Sequence, residues 1–330
     1  MGSPPAAPAA AAADSAVSTT DPATPSTNAI GAALGLLGDE WTLLIVRAAF
    51  EGARRYGDWK AALPISDAVL SARLTRLVDA GVLSRSASDG SPSRPSYALT
   101  ECGLDLWRLL LCIWDWERRH VEGQADRLPS MVHAECGRTF HPVLRCGSCH
   151  GPATADDVDS RFGASGSFER SVPVGATRRR SAGRETAGRD TAGRPQSAGP
   201  GMFADTMAII GSRWSSAVLG AAFLGARRFR DFEQIGAPPS IVSDRLRDFV
   251  ELGVLDRSSD DGVSYRLSAK GSAFFPAVVA FLLWGERWRP APDGPAVVAT
   301  HRVCGAWFVP ELACSACHRI VESRSLQIVP

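Results

Sequence analysis

The chain carries nearly the same sequence twice, and this restricts its fold more than any other feature. Trp41 answers to Trp214, and Arg54-Arg55-Tyr56 to Arg227-Arg228-Phe229, at a spacing of 173 residues. Ser71-Ala-Arg-Leu74 answers to Ser243-Asp-Arg-Leu246, and Gly81-Val-Leu83 to Gly253-Val-Leu255, at 172. Tyr97 matches Tyr265, Gly103 matches Gly271 and Trp116 matches Trp284 at 168, so the stretch before Tyr265 is four residues shorter than its counterpart. Any architecture must hold two like units.

In the first unit, Ile30, Ala33, Leu34 and Leu37 share a helical face, Gly38-Asp39 breaks the pattern, and Trp41 to Phe50 gives a second, more apolar helix. Tyr56 to Leu63 reads as a short third helix, interrupted by Pro64. The next stretch sets Val69, Leu70, Leu74, Leu77 and Val78 at the helical period, with Ser66 as N-cap and Gly81 just past the end. Ser71, Ala72, Thr75 and Arg76 point outward from that stripe, with Arg73 on its flank. Short side chains around one long cation let a helix enter a major groove, whereas a solvated face is the plain alternative. Val82–Arg85 and Tyr97–Leu99 read as strands around a turn-rich tip carrying Arg94, so the helix runs into a hairpin wing. A long helix from Thr100 to about Val121 is apolar nearly all round, which suggests a helix partner outside its own unit.

The second unit differs on its outward face, which shows Ser243, Asp244, Arg247 and Asp248, with Asp260 and Asp261 at its wing tip. The added carboxylates repel phosphate, so the first unit is expected to carry more of any DNA contact.

Of the 330 residues, 45% are apolar and the net charge is +1, enough for two ordinary cores but not the mark of a protein that coats nucleic acid nonspecifically. No apolar run approaches the roughly 20 residues of a membrane span, and the start of the chain is a poor secretory signal, so a cytoplasmic address is expected. No phosphate loop, nucleophile motif or open metal site is found, and no enzymatic activity is expected.

Eight cysteines in such a setting point to metal or thiol chemistry before disulfides. Six fall in two like sets, His133-x2-Cys136-x9-Cys146-x2-Cys149 and His301-x2-Cys304-x9-Cys314-x2-Cys317. One imidazole and three thiolates suit a closed tetrahedral zinc ribbon in each unit, about two structural zinc ions per chain. His150 and His318 are alternative fourth ligands, and redox pairs or packed thiols are the alternatives to metal. Of the remaining thiols, Cys112 is expected in the core and Cys102 partly exposed.

The segments Gly38-Asp-Glu-Trp-Thr-Leu-Leu-Ile45, Arg55-Tyr-Gly-Asp-Trp, Ile65–Leu77 and Tyr97-Ala-Leu-Thr-Glu-Cys-Gly103 resemble the HxlR type of bacterial winged helix-turn-helix regulators. Gly211-Ser-Arg-Trp-Ser, Arg228-Phe-Arg-Asp-Phe and Val242-Ser-Asp-Arg-Leu are similar in the second unit. The resemblance implies a sequence-specific, double-stranded DNA-binding transcriptional regulator, typically dimeric, with the Ser66–Asp79 helix in the major groove and the wing beside it. The DNA-facing set is then Arg54, Arg55, Ser66, Ser71, Ala72, Arg73, Thr75, Arg76 and Arg94, with Arg227, Arg228, Ser243, Arg245 and Arg247 in the second unit. Pro238-Pro239 replace Ser66-Asp67 there, which weakens the cap.

The expected fold is α+β, mainly α with small β-hairpins: a disordered arm (1–28), winged helix domains (29–122 and 201–290), zinc-ribbon-like modules (131–155 and 297–325) and a basic disordered linker (156–200). The two winged domains are expected to associate through their long helices as a one-chain pseudo-dimer, with exchange into a true homodimer as a variant. A protein-interaction or thiol/metal-sensing module with weakened DNA binding is the alternative function.

Overall fold

The computed structural model describes residues 27–88, 91–171, 203–259 and 262–329. The first unit begins with α1 (Ala29–Leu37), α2 (Glu40–Phe50), α3 (Tyr56–Ala62) and α4 (Asp67–Asp79), followed by the antiparallel hairpin β1 (Leu83–Ser88) and β2 (Ser91–Leu99). Then come α5 (Glu101–Leu104), α6 (Trp107–His120) and α7 (Gln124–Arg127). A ribbon of β3 (Ser130–His133), β4 (Arg138–Thr139), β5 (Pro142–Cys146) and β6 (Val158–Phe162) leads to α8 (Phe168–Ser171). The second unit repeats the order as α9 (Ala204–Ile210), α10 (Arg213–Phe223), α11 (Phe229–Phe232), α12 (Pro239–Glu251), β7 (Leu255–Ser258), β8 (Ser264–Leu267), α13 (Ala269–Ser272) and α14 (Phe275–Trp288). Its ribbon is β9 (Val297–His301), β10 (Pro310–Cys314) and β11 (Leu326–Val329).

Helix starts follow the polar residues that satisfy free backbone amides. Asp39 caps α2 by accepting from Thr42 N at 3.0 Å, and Ser66 caps α4 through Val69 N at 3.4 Å. Pro238 at the start of α12 makes no side-chain cap, as its sequence implied. Thr100 caps α5, but the long helix expected from there breaks at Asp105 and Leu106 before α6 begins. Gly103 and Gly271 lie so close to the backbone of Val82 and Val254 that a Cβ would sit 2.2 and 2.1 Å from their carbonyl oxygens. Only glycine lets the helix follow the wing so tightly.

The winged units are joined along their long helices, where α6 packs on α14, and each first helix crosses to the other unit: α1 lies on α14 and α9 on α6. The contacts are reciprocal. Trp116 Nε1 donates to Lys270 O at 3.0 Å, and Trp284 Nε1 donates to Cys102 O at 2.9 Å. Buried Glu117 accepts from Thr206 N at 3.0 Å and Thr206 Oγ1 at 2.6 Å, tying α6 to the first turn of α9. Burial pushes its carboxyl up to about 7 against those two hydrogen bonds. Its counterpart in the second unit is Gly285, where a Cβ would meet Ala29 O at 2.7 Å, so α1 crosses closer than α9 does.

Three expectations are corrected. The ribbons do not close on themselves: β5 pairs with β10, β3 with β11 and β6 with β9, each antiparallel and each between units. A strand in so small a ribbon gains more from a partner strand than from its own turns. Residues 156–171 are not linker, because β6 completes the second unit's sheet and α8 packs on α1. Asn28 is not part of a free arm: fully buried, it caps α1 and donates to Ser165 O at 3.1 Å and Ser171 Oγ at 2.9 Å. The Ala/Pro-rich arm up to 26 and the basic stretch 172–200 lie outside the described residues.

Candidate nucleic-acid interface and metal centres

On α4, the apolar stripe of Leu70, Leu74 and Leu77 is buried, while Ser66, Ser71, Ala72, Thr75 and Arg76 are exposed. The helix is held at its start by α3, where Tyr56 Oη donates to Asp67 Oδ1 at 2.8 Å and Lys60 Nζ stands 3.5 Å from the same carboxylate. The wing leaves α4 directly through Gly81, whose φ of 67° is the left-handed turn that ends the helix. Arg85 is exposed on β1. Arg94 lies on β2, and its side chain, like Asp260 and Asp261, lies outside the described residues.

Several expected DNA ligands are engaged within the protein. Arg73 donates to Asp39 Oδ2 at 2.6 Å and Oδ1 at 3.1 Å, so its fork grips the cap of α2. Burial raises the Asp39 carboxyl, but the hydrogen bonds from Arg73 and Thr42 and the Arg73 charge outweigh it and hold the group below its usual range. Arg54 turns back to Ala49 O at 2.6 Å and Ala53 O at 2.9 Å, and Arg227 does the same to Ala222 and Ala226. These two satisfy the last carbonyls of α2 and α10. Arg76 keeps an exposed position while one amine donates to Gly35 O. Arg55 and Arg228 are exposed beside the start of α3 and α11.

On α12 the cations are answered locally. Arg247 pairs with Asp244 at 2.7 Å and Arg245 with Asp248 at 3.0 Å, while Ser243 is exposed. The face of the second unit is thus close to neutral, and that of the first is not.

The eight Cys and His residues form two clusters, each drawn from both units. His133 and Cys136 meet Cys314 and Cys317, and Cys146 and Cys149 meet His301 and Cys304, with all ligand atoms of a cluster within 4.8 Å of one another. Cys136 Sγ lies 3.9 Å from Cys314 Sγ, and Cys317 Sγ lies 3.3 Å from His133 Nδ1. In the other cluster, Cys146 Sγ is 4.0 Å from Cys304 Sγ, and His301 Nδ1 is 3.4 Å from both Cys149 and Cys304. A tetrahedron with about 2.3 Å metal–sulfur and 2.1 Å metal–nitrogen bonds has edges of roughly 3.6 to 3.8 Å, close to these separations. All eight cysteines are free thiols. Backbone amides favour one thiolate in each Cys-x-x-Cys pair: those of Ser148, Cys149 and Val309 outweigh burial and bring Cys146 down to about 7, and that of Arg319 leads in bringing Cys317 to about 6. Cys314 is instead raised chiefly by burial, and Cys149 is raised by burial and its neighbouring thiols against the Gly151 amide.

His133 and His301, both fully buried, belong to the clusters. His150 and His318 instead take left-handed φ angles of 58° and 61° in the turns, and His150 faces Glu311 at 3.6 Å, outside the ligand set. The two closed modules expected from the sequence are therefore replaced by two clusters shared between the units. The equal spacing of the ligand sets fits either grouping, so only the strand pairing between units reveals the exchange. Cys112 is buried and its thiol is pushed up by burial, while Cys102, expected to be partly exposed, is also buried. Asp39, the anchor for Arg73, was missed; its signal was the break at Gly38-Asp39 before an apolar helix.

The family model for the HxlR-like helix-turn-helix matches residues 36–125 and again 209–293. An uncharacterised HTH-type transcriptional regulator of Mycobacterium tuberculosis, MT3179, is 37% identical over 127 residues, covering 37% of this chain and 80% of the relative. YdzF of Bacillus subtilis, also named an uncharacterised HTH-type transcriptional regulator, is 34% identical over 85 residues, 24% of this chain and 78% of its own. A solved chain, PA1607, provisionally assigned as a transcription factor, is 33% identical over 38% of this chain and 87% of its own, with a TM-score of 0.34. With the family pattern matched in both units, this chain belongs to the HxlR-like helix-turn-helix family.

Proposed function

We propose that this chain is a sequence-specific, double-stranded DNA-binding transcriptional regulator that works as a one-chain pseudo-dimer. The observation that carries this reading is the open face of α4, where Ser71, Ala72, Thr75 and Arg76 stand exposed beside the β1–β2 wing. Ala72 and Thr75 allow close approach to base edges, and Arg76 is the cation placed to reach a guanine or a phosphate. Arg55 and Arg85 flank the helix as phosphate contacts that set its register. Arg73 and Arg54 act one step back, holding α4 on α2 and closing α2 itself.

The second unit serves mainly as the fixed partner. Its α12 pairs each arginine with its own aspartate, so its attraction for phosphate is weak. Covalent linkage raises the local concentration of one unit about the other to about millimolar, so the assembly does not depend on protein concentration.

His133, Cys136, Cys314 and Cys317 hold one structural zinc ion, and Cys146, Cys149, His301 and Cys304 hold the other. Four protein ligands close each shell, so the ions supply cross-links rather than a site for water or substrate. Among the described residues no single helix is long and apolar enough to cross a membrane.

Selection of bound duplexes from a random pool by the full chain tests the reading. Recovery of one strong half-site, with a weaker or degenerate second one a helical turn away, is expected. Failure to enrich any sequence, together with binding that does not weaken with salt, would leave a protein-interaction module.

A further inference from the structure

Between α10, α14, α1 and α6 lies a partly open cavity of about 130 Å³ with no charged residue in its lining. Two of the three lining serines, the third being Ser160 on β6, are committed elsewhere: Ser216 Oγ donates to Ser212 O at 2.9 Å, and Ser171 Oγ to Ser167 O at 2.6 Å. The internal repeat explains why the space exists. Where the second unit has Ala217, Gly220, Ala277 and Leu282, the first has Leu44, Arg47, Leu109 and Trp114. Leu44, Leu109 and Trp114 are buried, and Arg47 lies over the Trp114 ring at 5.3 Å, so the matching volume in the first unit is filled. Phe281 in place of Ile113 restores part of the lost volume.

Gly220 is the most telling member of the set. It sits within α10, where glycine costs roughly 1 kcal/mol against alanine, yet a Cβ there would meet nothing within 4 Å. No backbone approach demands it, and what it leaves is room.

We infer that this cavity is a binding site for a small uncharged apolar molecule about the size of one aromatic ring. A dry engineered cavity of about 150 Å³ takes up benzene or xenon, which sets the scale. A carboxylate or amine would lose its hydration and meet no charged partner among the lining residues. The α10 wall also carries α12, so an occupant bears on the second unit's reading helix.

Thermal unfolding of the full chain with benzene as the probe tests the site. Saturating benzene should raise the midpoint by roughly 2–4 °C, whereas benzoate at the same concentration should not. Gly220→Leu and Ala217→Leu should each abolish the benzene shift, and the smaller Gly220→Ala, which keeps the fold in any case, should reduce it. No shift with benzene, an equal shift with benzoate, or a shift that survives Gly220→Leu or Gly220→Ala unchanged would overturn the inference.

Discussion

Leu144 and Leu312, 168 positions apart, lie directly opposite one another in the antiparallel pair of β5 and β10. Equivalent residues can face each other in this way only on a two-fold axis, so the ribbons obey the symmetry of an isologous dimer inside one chain. The same axis relates the bonds of Trp116 and Trp284, and it makes each Cys/His cluster take two residues from each unit.

Paired substitutions distinguish shared centres from closed ones. Cys136→Ser with Cys317→Ser removes two ligands from one cluster, so zinc should fall from about two to about one per chain. Cys136→Ser with Cys146→Ser strikes both clusters and should take zinc towards zero. If each unit held its own ion, the two results would be exchanged. Metal analysis after gel filtration reads the difference.

A chain cut within 172–202 should stay together while metal is bound, because three inter-unit strand pairs and both clusters span the cut. Chelation should weaken that association, and co-elution on gel filtration with and without chelator is the measurement. Halves that separate with metal still bound would show that the clusters do not join them.

Much of this was legible in the sequence because helices declare themselves through local spacing. The Leu70, Leu74 and Leu77 stripe, the Ser66 cap and Gly81 fixed α4 and its outward face without any tertiary information. The clustered cysteines and histidines were legible too, as residue types at fixed spacing. Their grouping was not, since Cys146 follows Cys136 closely in the sequence while Cys314 lies 178 residues away, and the choice of Cys314 is made by strand pairing at long range. The role of Arg73 was hidden for a similar reason: a cation on a helix flank serves DNA or a neighbouring carboxylate equally well until the 34-residue contact with Asp39 is seen.

The difference between the two reading helices should appear in binding. Ala72→Asp gives α4 the carboxylate that α12 carries as Asp244, and should weaken operator binding by roughly ten- to a hundredfold, in line with the 1–3 kcal/mol of a groove contact. Arg76→Ala should also lower the salt slope by about one. Asp244→Ala, by contrast, frees Arg247 from its 2.7 Å partner and should hold affinity or improve it slightly. Gel shifts at two salt concentrations give all three values.

Glu117 should leave a mark on the pH dependence of stability. Its folded carboxyl is pushed up to about 7 by burial, above the ordinary value of 4.5, so between these limits the folded chain binds more protons than the unfolded one. Stability contributed by the group is therefore greatest in acid and falls as pH rises towards 7. Asp115, pushed up to about 6 by burial, acts in the same direction. Glu117→Gln cannot titrate, so relative to the parent it should gain up to about 3 kcal/mol between pH 4.5 and 7.5. Urea midpoints at both pH values test this; a constant difference would mean that Glu117 is ionised throughout.

Arg73 and its counterpart Arg245 should behave differently despite their shared position. Arg73→Ala removes a two-pronged contact from half-buried Asp39 and loosens α4 on α2, at a cost of about 1–2 kcal/mol. Among the described residues Arg245 pairs with Asp248 on its own helix at 3.0 Å, so Arg245→Ala should cost less than about 1 kcal/mol. Because the Asp39 carboxyl is held below its ordinary 3.8, its contribution is complete above that value and disappears as pH falls through the lower folded one. The Arg73→Ala penalty should thus shrink in strong acid. An Arg73 that served DNA directly would give the opposite pattern, with urea stability unchanged and operator affinity lost.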